Sequence, residues 1–220
     1  MKKKIKKQII AIDGPAGSGK STVAKKIAMN LGYAYLDTGA MYRALTFKAM
    51  KEKIDLKNSK ALVALAKKTI ISFLGKKVLL DGSDVSKEIR HPEVSKNTHY
   101  ISIVPQVRDI MKSLQRKIGL NGGIVAEGRD IGTIIFPKAE KKIFLSAEPQ
   151  TRAHRRYLEL KEKGINCTLK KILEDIIERD RNDTTRKIAP LRKAKDAVLV
   201  DTTGLTIKQV VKKIIDFIEI

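Results

Sequence analysis

Four residues near the amino terminus have the types and spacing of a phosphate-binding motif. Gly14, Gly19, Lys20 and Ser21 fit the pattern G-x-x-x-x-G-K-[ST] with no mismatch. Glycines let such a loop turn sharply, so that its backbone N–H groups converge on an anion, and the lysine reaches the β- and γ-phosphates. The serine hydroxyl is the expected protein ligand for Mg²⁺. The residues predicted to bind the triphosphate are Gly14, Pro15, Ala16, Gly17, Ser18, Gly19, Lys20, Ser21 and Thr22.

The sequence around the motif supplies the elements that such a loop needs. Ile9 to Ile12 is a short apolar run suited to a buried parallel strand, and it leads directly into the loop. After the loop, apolar residues recur at helical spacing from Val23 to Leu31. A strand, a glycine-rich loop and a helix in this order are the context in which the motif binds a nucleoside triphosphate.

Strand-like and helical segments alternate through most of the remaining chain. This alternation indicates an α/β fold with a five-stranded parallel sheet and helices on both faces. The other four strands are predicted at Tyr33–Leu36, Ile124–Ala126, Lys142–Leu145 and Ala197–Val200. The helices after the first are predicted at Ala40–Lys53, Asn58–Lys68, Pro92–Ile103, Pro105–Ile118, Gln150–Lys163 and Leu169–Ile177, with a last helix over residues 207–218.

Two local patterns add detail to this outline. Ile70–Leu74 and Lys77–Leu80 are strand-like runs separated by two residues, and they predict a hairpin in an inserted subdomain because they break the alternation. Asn58 or Ser59 is the predicted cap of its helix. Thr206 with Gln209 predicts a capping box before the last helix.

The composition constrains the class of partner. The 220 residues include 46 basic and 24 acidic ones, giving a net charge of +22. The lysines are scattered over nearly every predicted helix and turn, which is typical of a solvated surface. With 5% aromatic residues and no Trp, there is little to stack on bases. We therefore expect no nucleic-acid partner, and the excess charge would speed the arrival of anionic small molecules.

The sequence also predicts a compartment. No apolar run approaches the roughly 20 residues that cross a bilayer, so no membrane association is expected. The lysines at positions 2, 3, 4, 6 and 7 resemble the start of a signal peptide, but the apolar stretch after them ends at Asp13 and becomes the phosphate loop. The single Cys167 excludes an internal disulfide. We expect a cytoplasmic protein that acts as a monomer.

Three clusters of polar residues follow predicted strands or lie beyond them. They are Asp37–Arg43, Glu127–Asp130 and Arg179–Arg186. Ligands of open α/β sheets bind at the carboxyl ends of the strands, so these clusters are candidates for the rest of the site. An isolated cluster of this kind can equally be a solvated surface.

These stretches carry a family resemblance. Ile9–Arg43, the sequence Glu127-Gly128-Arg129-Asp130-Ile131-Gly132-Thr133, and Arg179-Asp180 with Asp183 and Arg186 resemble the bacterial cytidylate kinases, which are P-loop nucleoside monophosphate kinases. Arg152–Arg156 and Ala189–Arg192 match in the same order, so the resemblance covers essentially the whole chain.

The resemblance implies an activity and a division of the chain. The implied reaction is transfer of the ATP γ-phosphoryl group to CMP or dCMP, which gives ADP and CDP or dCDP, with Mg²⁺ as cofactor. One kinase domain over residues 1–220 would consist of a core (1–37, 105–150 and 168–220), an NMP-binding region with the hairpin (38–104) and a mobile lid (151–167).

The resemblance also implies site residues. Those assigned to CMP are Thr38, Tyr42, Arg43 and Arg129 at its phosphate, Arg108 and Asp130 at the cytosine, and Arg179, Asp183 and Arg186 in the remainder of the acceptor site. Those assigned to catalysis are Lys20, Arg129, Arg152, Arg156 and Arg179.

The chemistry agrees with these roles. The second pKa of a phosphate monoester is near 6, so a CMP oxygen is largely deprotonated at neutral pH and needs no general base. Arginine holds a phosphate through two parallel hydrogen bonds. A carboxylate at Asp130 can accept from the cytosine amino group, whereas UMP presents a carbonyl there.

Two departures from the family pattern and two alternatives remain. His99 stands where the family usually has a serine near the pyrimidine, and Glu127 stands where Asp is usual. A kinase that phosphorylates a hydroxyl would need a base, for which Asp37 is the candidate. A nucleotide-dependent RNA-binding protein is the second alternative, although the chain has no Asn-Lys-x-Asp guanine-reading element.

Overall fold

The computed structural model describes residues 7–162 and 164–219. The predictions for Lys2, Lys3, Lys4 and Lys6, and for Lys163 at the end of a helix, lie outside these residues. The chain forms two compact units. Unit 1 contains the described residues up to Leu36 and those from Gly119 onward, and unit 2 is the continuous segment Asp37–Ile118.

The sheet is built around the strand that precedes the phosphate loop. Five strands, β1 (Ile9–Asp13), β2 (Ala34–Asp37), β6 (Ile124–Gly128), β7 (Lys141–Ser146) and β8 (Val198–Asp201), lie in the order β2-β6-β1-β7-β8. β1 pairs in parallel with β6 and β7, and β7 pairs in parallel with β8. All five predicted strands and the parallel α/β class are confirmed.

The helices that the structure describes in unit 1 accompany a sheet whose central strands β1 and β6 are almost wholly buried. They are α1 (Lys20–Leu31), α6 (Pro149–Glu162), α7 (Leu169–Thr185) and α8 (Ile207–Glu219). Every residue of β6 is buried, as is typical of a parallel sheet covered on both faces. One apolar core joins Ile10 and Ile12 of β1 to Ile27 of α1 and Ile214 of α8. Because β1 is central in the sheet, this core fixes the start of the phosphate loop.

Unit 2 contains the remaining helices and a small antiparallel sheet. The helices are α2 (Thr38–Lys51), α3 (Ser59–Lys68), α4 (Pro92–Ser102) and α5 (Pro105–Gly119), of which α5 has its last residue in unit 1. Strands β3 (Ile71–Leu74) and β4 (Lys77–Leu80) form the predicted hairpin. A third strand, β5 (Ser83–Asp84), pairs with β4 and was not predicted, because two exposed residues carry no apolar pattern.

Local signals set several element ends. The Asn58 side chain caps α3 by accepting from the N–H of Ala61 at 3.1 Å. Thr206 and Gln209 form the predicted capping box, with the Gln209 side chain accepting from the Thr206 N–H at 2.9 Å and the Thr206 hydroxyl accepting from the Gln209 N–H at 3.3 Å. Within residues 7–162 and 164–219, no helix is long and apolar enough to cross a membrane.

Candidate active site

The phosphate loop connects β1 to α1 in unit 1. Gly14 and Gly17 have φ angles of +152° and +75°, and Gly19, the cap of α1, has φ +89°. A Cβ atom at Gly14 would lie 2.1 Å from the carbonyl oxygen of Leu145 in β7, so only glycine fits there. The loop therefore runs directly against the neighbouring strand.

Lys20 is the first residue of α1 and is 5% exposed. Its Nζ donates to the carbonyl oxygen of Pro15 at 2.6 Å, within the loop. The pKa of Lys20 is lowered to about 7: burial is the largest cause, Arg129 and Arg179 also lower the pKa, and Glu127 opposes them. Glu127 lies on β6, Arg129 directly follows β6 and Arg179 lies on α7, so charged side chains from three parts of unit 1 lie near the loop.

Glu127 faces the start of α1. The Ser21 hydroxyl donates to Glu127 Oε1 at 2.5 Å, and the Tyr35 hydroxyl donates to the same oxygen at 2.9 Å. Glu127 is 4% exposed. A hydroxyl and a carboxylate thus stand side by side at the end of the phosphate loop, and both are hard oxygen donors of the kind that Mg²⁺ prefers.

Asp183, a carboxylate on α7, lies close to arginines from two segments. Asp183 accepts from Arg129 Nε at 2.7 Å, and Arg186 Nη1 lies 3.6 Å from its other oxygen. Burial alone would raise the pKa of Asp183, but Arg129, Arg179 and Arg186 together hold it below its usual range. Arg186 Nε also donates to the carbonyl of Ala189 at 2.6 Å. The predicted acceptor-site residues of α7 therefore form one cluster with Arg129.

The segment after β6 turns sharply beside this cluster. Residues Ile131–Ile135 form a π-helical turn directly after Asp130, which is 6% exposed. Asp13, the last residue of β1, accepts from the N–H groups of Ile131 and Gly132, each at 2.8 Å. The position of Arg129 and Asp130 thus depends on a carboxylate 118 residues away from the turn.

The arginines of α6 are not equivalent. Arg152 is 3% exposed and contacts the loop, donating to the carbonyl oxygen of Ala16 at 3.0 Å. Arg155 donates to the carbonyl of Thr202 at 2.7 Å. Arg156 Nη1 donates to Glu159 Oε2, three residues further along α6, at 2.7 Å. These three arginines, which stand close together in the sequence, therefore have different partners in the structure.

Unit 2 has its own polar cluster at the start of α2. Asp37 caps the helix by accepting from the N–H of Ala40 at 2.7 Å, and Arg43 Nη2 donates to its other oxygen at 3.0 Å. A Cβ atom at Gly39 would lie 3.0 Å from Arg43 Nη1, so the absence of a side chain there makes room for the guanidinium. Both Asp37 oxygens already accept hydrogen bonds, which does not favour Asp37 as a general base.

The remaining unit 2 residues predicted for the site are on α2 and α5. Thr38 begins α2 and is 5% exposed. The Arg108 guanidinium carbon lies 5.7 Å from the centre of the Tyr42 ring, and Arg108 Nη1 donates to the carbonyl of Ser102 at 3.1 Å. His99 is exposed, and its ring lies against that of Tyr100 with centroids 3.9 Å apart and a tilt of 37°.

Comparisons with known proteins agree on one family. The model of the cytidylate kinase family matches residues 10–220. The chain is 50% identical over 210 residues to a cytidylate kinase of Alkaliphilus oremlandii, covering 96% of this chain and 97% of the relative. It is 47% identical over 212 residues to a cytidylate kinase of Clostridioides difficile, covering 96% and 98%. The chain belongs to the cytidylate kinase family.

Solved structures of low sequence identity share the fold. An uncharacterized protein from Eubacterium ventriosum has a TM-score of 0.55 and 16% identity, covering 97% of this chain and 99% of that one. A shikimate kinase from Bacteroides thetaiotaomicron has a TM-score of 0.51 and 11% identity, with the same coverage. These likenesses concern the fold alone.

The structure distributes the residues expected of a cytidylate kinase over both units. Unit 1 brings Lys20, Arg129, Arg179, Asp183 and Arg186 into one charged cluster. Unit 2 holds the other predicted contacts to the monophosphate and base, which are Thr38, Tyr42, Arg43 and Arg108.

Two residues with a part in this arrangement were missed from the sequence. Asp13 directly precedes the loop, and its place at the carboxyl end of a buried strand was a signal that could have found it. Asp180 pairs with Arg152 at 2.6 Å. The sequence places Asp180 in the Arg179–Arg186 cluster, but its pairing with an arginine 28 residues away on α6 has no local signal.

Proposed function

We propose that the protein transfers the γ-phosphoryl group of ATP to CMP and dCMP, forming CDP or dCDP and ADP. One observation carries the proposal: the buried Lys20 of the phosphate loop lies within electrostatic reach of Arg129, Arg179 and Asp183. A triphosphate cradle beside a cluster of arginines suits the meeting of two anionic nucleotides. Membership of the cytidylate kinase family supports the choice of CMP as acceptor.

In this proposal the protein positions charges and needs no general base. The monophosphate oxygen is already a nucleophile at neutral pH. Lys20, Arg129 and Arg179 offset the charge on the transferred group, and Arg156 joins them from a lid formed by residues 151–167. Arg152 stays outside this set because its guanidinium is bound within unit 1. Exclusion of water by the lid would prevent hydrolysis of ATP.

We propose Mg²⁺ as the cofactor, held through the Ser21 hydroxyl. The fit rests on the donor set, since the Ser21 hydroxyl and the Glu127 carboxylate are adjacent oxygen donors beside the phosphate loop. When bound with ATP, the ion would neutralise charge on the phosphates. Mg²⁺ takes most of its ligands from water and phosphates. Glu127, although longer than the usual Asp, presents its carboxylate to Ser21.

The acceptor site is proposed residue by residue. Arg129, Asp130, Arg179, Asp183 and Arg186 are assigned to CMP from unit 1. Thr38, Tyr42, Arg43 and Arg108 are assigned to CMP from unit 2, with residues 38–104 as the NMP-binding region and the rest, apart from the lid, as the core. We also propose that the enzyme is a cytoplasmic monomer and that its charge attracts small anionic substrates, without a nucleic-acid partner.

The first experiment measures the acceptor range. Purified protein is given ATP, Mg²⁺ and each ribo- and deoxyribonucleoside monophosphate, and ADP release is followed in a coupled assay. We expect rapid turnover with CMP and dCMP. If CMP yields no CDP, the proposed function is wrong; turnover of a sugar or acid hydroxyl instead would favour the alternative kinase.

A second experiment tests the base contact. Asp130→Ala should lower the ratio of kcat/KM for CMP to that for UMP by about 10- to 100-fold, because a charge-assisted hydrogen bond contributes about 1.5–3 kcal/mol. Asp109→Ala removes an exposed carboxylate on α5 and is the matched control. An unchanged CMP/UMP ratio in the Asp130 variant would falsify the assignment of this residue.

A further inference from the structure

The side chain of Arg152 is bound at every nitrogen. Nε donates to the carbonyl of Ala147 at 2.8 Å, Nη1 to the carbonyl of Ala16 at 3.0 Å and Nη2 to Asp180 Oδ2 at 2.6 Å. The side chain is 4% exposed. These three acceptors come from the residue after β7 and before α6, from the phosphate loop and from α7, so a single guanidinium joins three parts of unit 1.

The backbone of α6 is equally close to the loop. Gly17 has φ +75°, and a Cβ atom there would lie 3.0 Å from Arg152 Cβ and 3.4 Å from the Arg152 carbonyl oxygen. This contact leaves no space for a side chain between loop and helix. Arg152 therefore supports the loop from one side through its backbone and its guanidinium together.

Asp180 extends this contact to the arginine cluster. It lies on α7 next to Arg179 and three residues before Asp183. Its Oδ2 binds Arg152, while its Oδ1 is buried and has no hydrogen-bond partner among the described residues. The stabilisation of this partly desolvated carboxylate depends on Arg152, because leaving one member of a desolvated pair alone is costly.

We propose that Arg152 and Asp180 are a pair of positioning residues that fixes the phosphate loop relative to α7. The pair keeps the N–H groups of the loop in register with Arg179 and Asp183. Its effect on the rate rests on the proposed function, since displacements of about 1 Å in a site can cost roughly 100-fold. Arg152 in this role acts through the carbonyl of Ala16 and does not contact the transferred phosphoryl group.

This role differs measurably from that of a catalytic arginine. An arginine that contacts the transferred group lowers kcat when it is removed, whatever stands at position 180, and leaves ATP affinity nearly unchanged. Removal of either member of a positioning pair weakens ATP binding even when CMP is absent. The losses from its two members are also not additive, because either substitution breaks the same contact.

The experiment is a double-mutant cycle on the full chain. ATP affinity is measured by calorimetry, without acceptor, for the wild type, Arg152→Ala, Asp180→Ala and the double variant, and kcat and KM are measured with CMP. We expect each single variant to weaken ATP binding about tenfold or more and the double variant to be no weaker than the worse single. Arg152→Lys should restore part of the affinity, since it keeps the charge near Asp180.

Controls separate this result from general loss of structure. Lys171 and Asp175 form an exposed ion pair of 2.9 Å on α7, the helix that carries Asp180. Their double-mutant cycle should change ATP affinity by less than about twofold. If an alanine variant does not fold, the cycle is built from Arg152→Lys and Asp180→Asn. Additive losses, or a fall in kcat with ATP affinity unchanged, would overturn the pair. If the wild type forms no CDP, the proposed function is refuted. The positioning role of Arg152 and Asp180 is still tested in that case, because ATP binding is measured without CMP.

Discussion

Asp13 offers a sharp test of the structure because its carboxylate is buried at the carboxyl end of β1. It is 3% exposed and accepts from the N–H groups of Ile131 and Gly132. Its pKa is raised from 3.8 to about 6: burial is the largest cause and Asp130 adds to it, while the two backbone hydrogen bonds and Lys20 lower the pKa. The folded protein therefore holds a proton on Asp13 at pH values where the unfolded chain has lost it.

The sign and size of the effect on stability follow from this difference. Between pH values of about 4 and 6 the folded state binds more protons at Asp13 than the unfolded state does, so the free energy of unfolding falls as the pH rises through this window. The rise from 3.8 to about 6 is roughly two pKa units, or about 3 kcal/mol. Stability from this group is fully present below pH 4 and is lost above pH 6.

Urea unfolding of the wild type and of Asp13→Asn between pH 4 and pH 7.5 measures this change. The difference between the two proteins cancels the titration of other groups. We expect the free energy of unfolding of the wild type, relative to the variant, to decrease by about 2.5 kcal/mol over the range, because at pH 4 the unfolded carboxyl has already lost part of its proton. Asp109→Asn is the control and should show no such decrease, because Lys112 lowers the pKa of that exposed carboxyl. Parallel curves for the wild type and Asp13→Asn would refute the reasoning.

Three further substitutions test packing and backbone conformation. Gln115 is 1% exposed and neither its amide nitrogen nor its oxygen has a hydrogen-bond partner in the described part of the chain, so Gln115→Met should raise the free energy of unfolding in urea by about 1–2 kcal/mol; a destabilised variant would contradict this. Ala189 has φ +50°, and Ala189→Gly should stabilise the protein by about 1 kcal/mol, seen as a higher Tm, whereas a lower Tm would show that the backbone is not strained. Gly17→Ala places a Cβ against Arg152 at φ +75°, so calorimetry should show ATP affinity reduced at least several-fold, and normal affinity would count against the described packing of the loop.

Much of the fold could be predicted because its signals are local. The five apolar strands, the hairpin at β3 and β4 and the capping box at Thr206 each depend on a few neighbouring residues. The phosphate loop is similarly local, since its glycines and Lys20 lie within seven positions of one another. For these elements the hydrophobic period and the turn residues agree with the final structure.

The parts that were missed depend on contacts between distant positions. The π-helical turn at Ile131–Ile135 is held by Asp13, which no local pattern links to it. The burial of Arg152 follows from acceptors in the loop and on α7, which its charged neighbours in the sequence do not reveal. A sequence pattern gives the face of a helix, but the acceptors that bind a guanidinium are determined by tertiary packing.

The contact between Gly14 and β7 bears on any attempt to reuse this phosphate cradle in another scaffold. Since a Cβ at position 14 would lie 2.1 Å from the carbonyl oxygen of Leu145, the curvature of the loop is moulded on the adjacent strand. Grafting residues 14–21 alone would transfer the loop sequence without the strand against which the loop packs. A designer who wants the cradle must transplant the end of β7 with it.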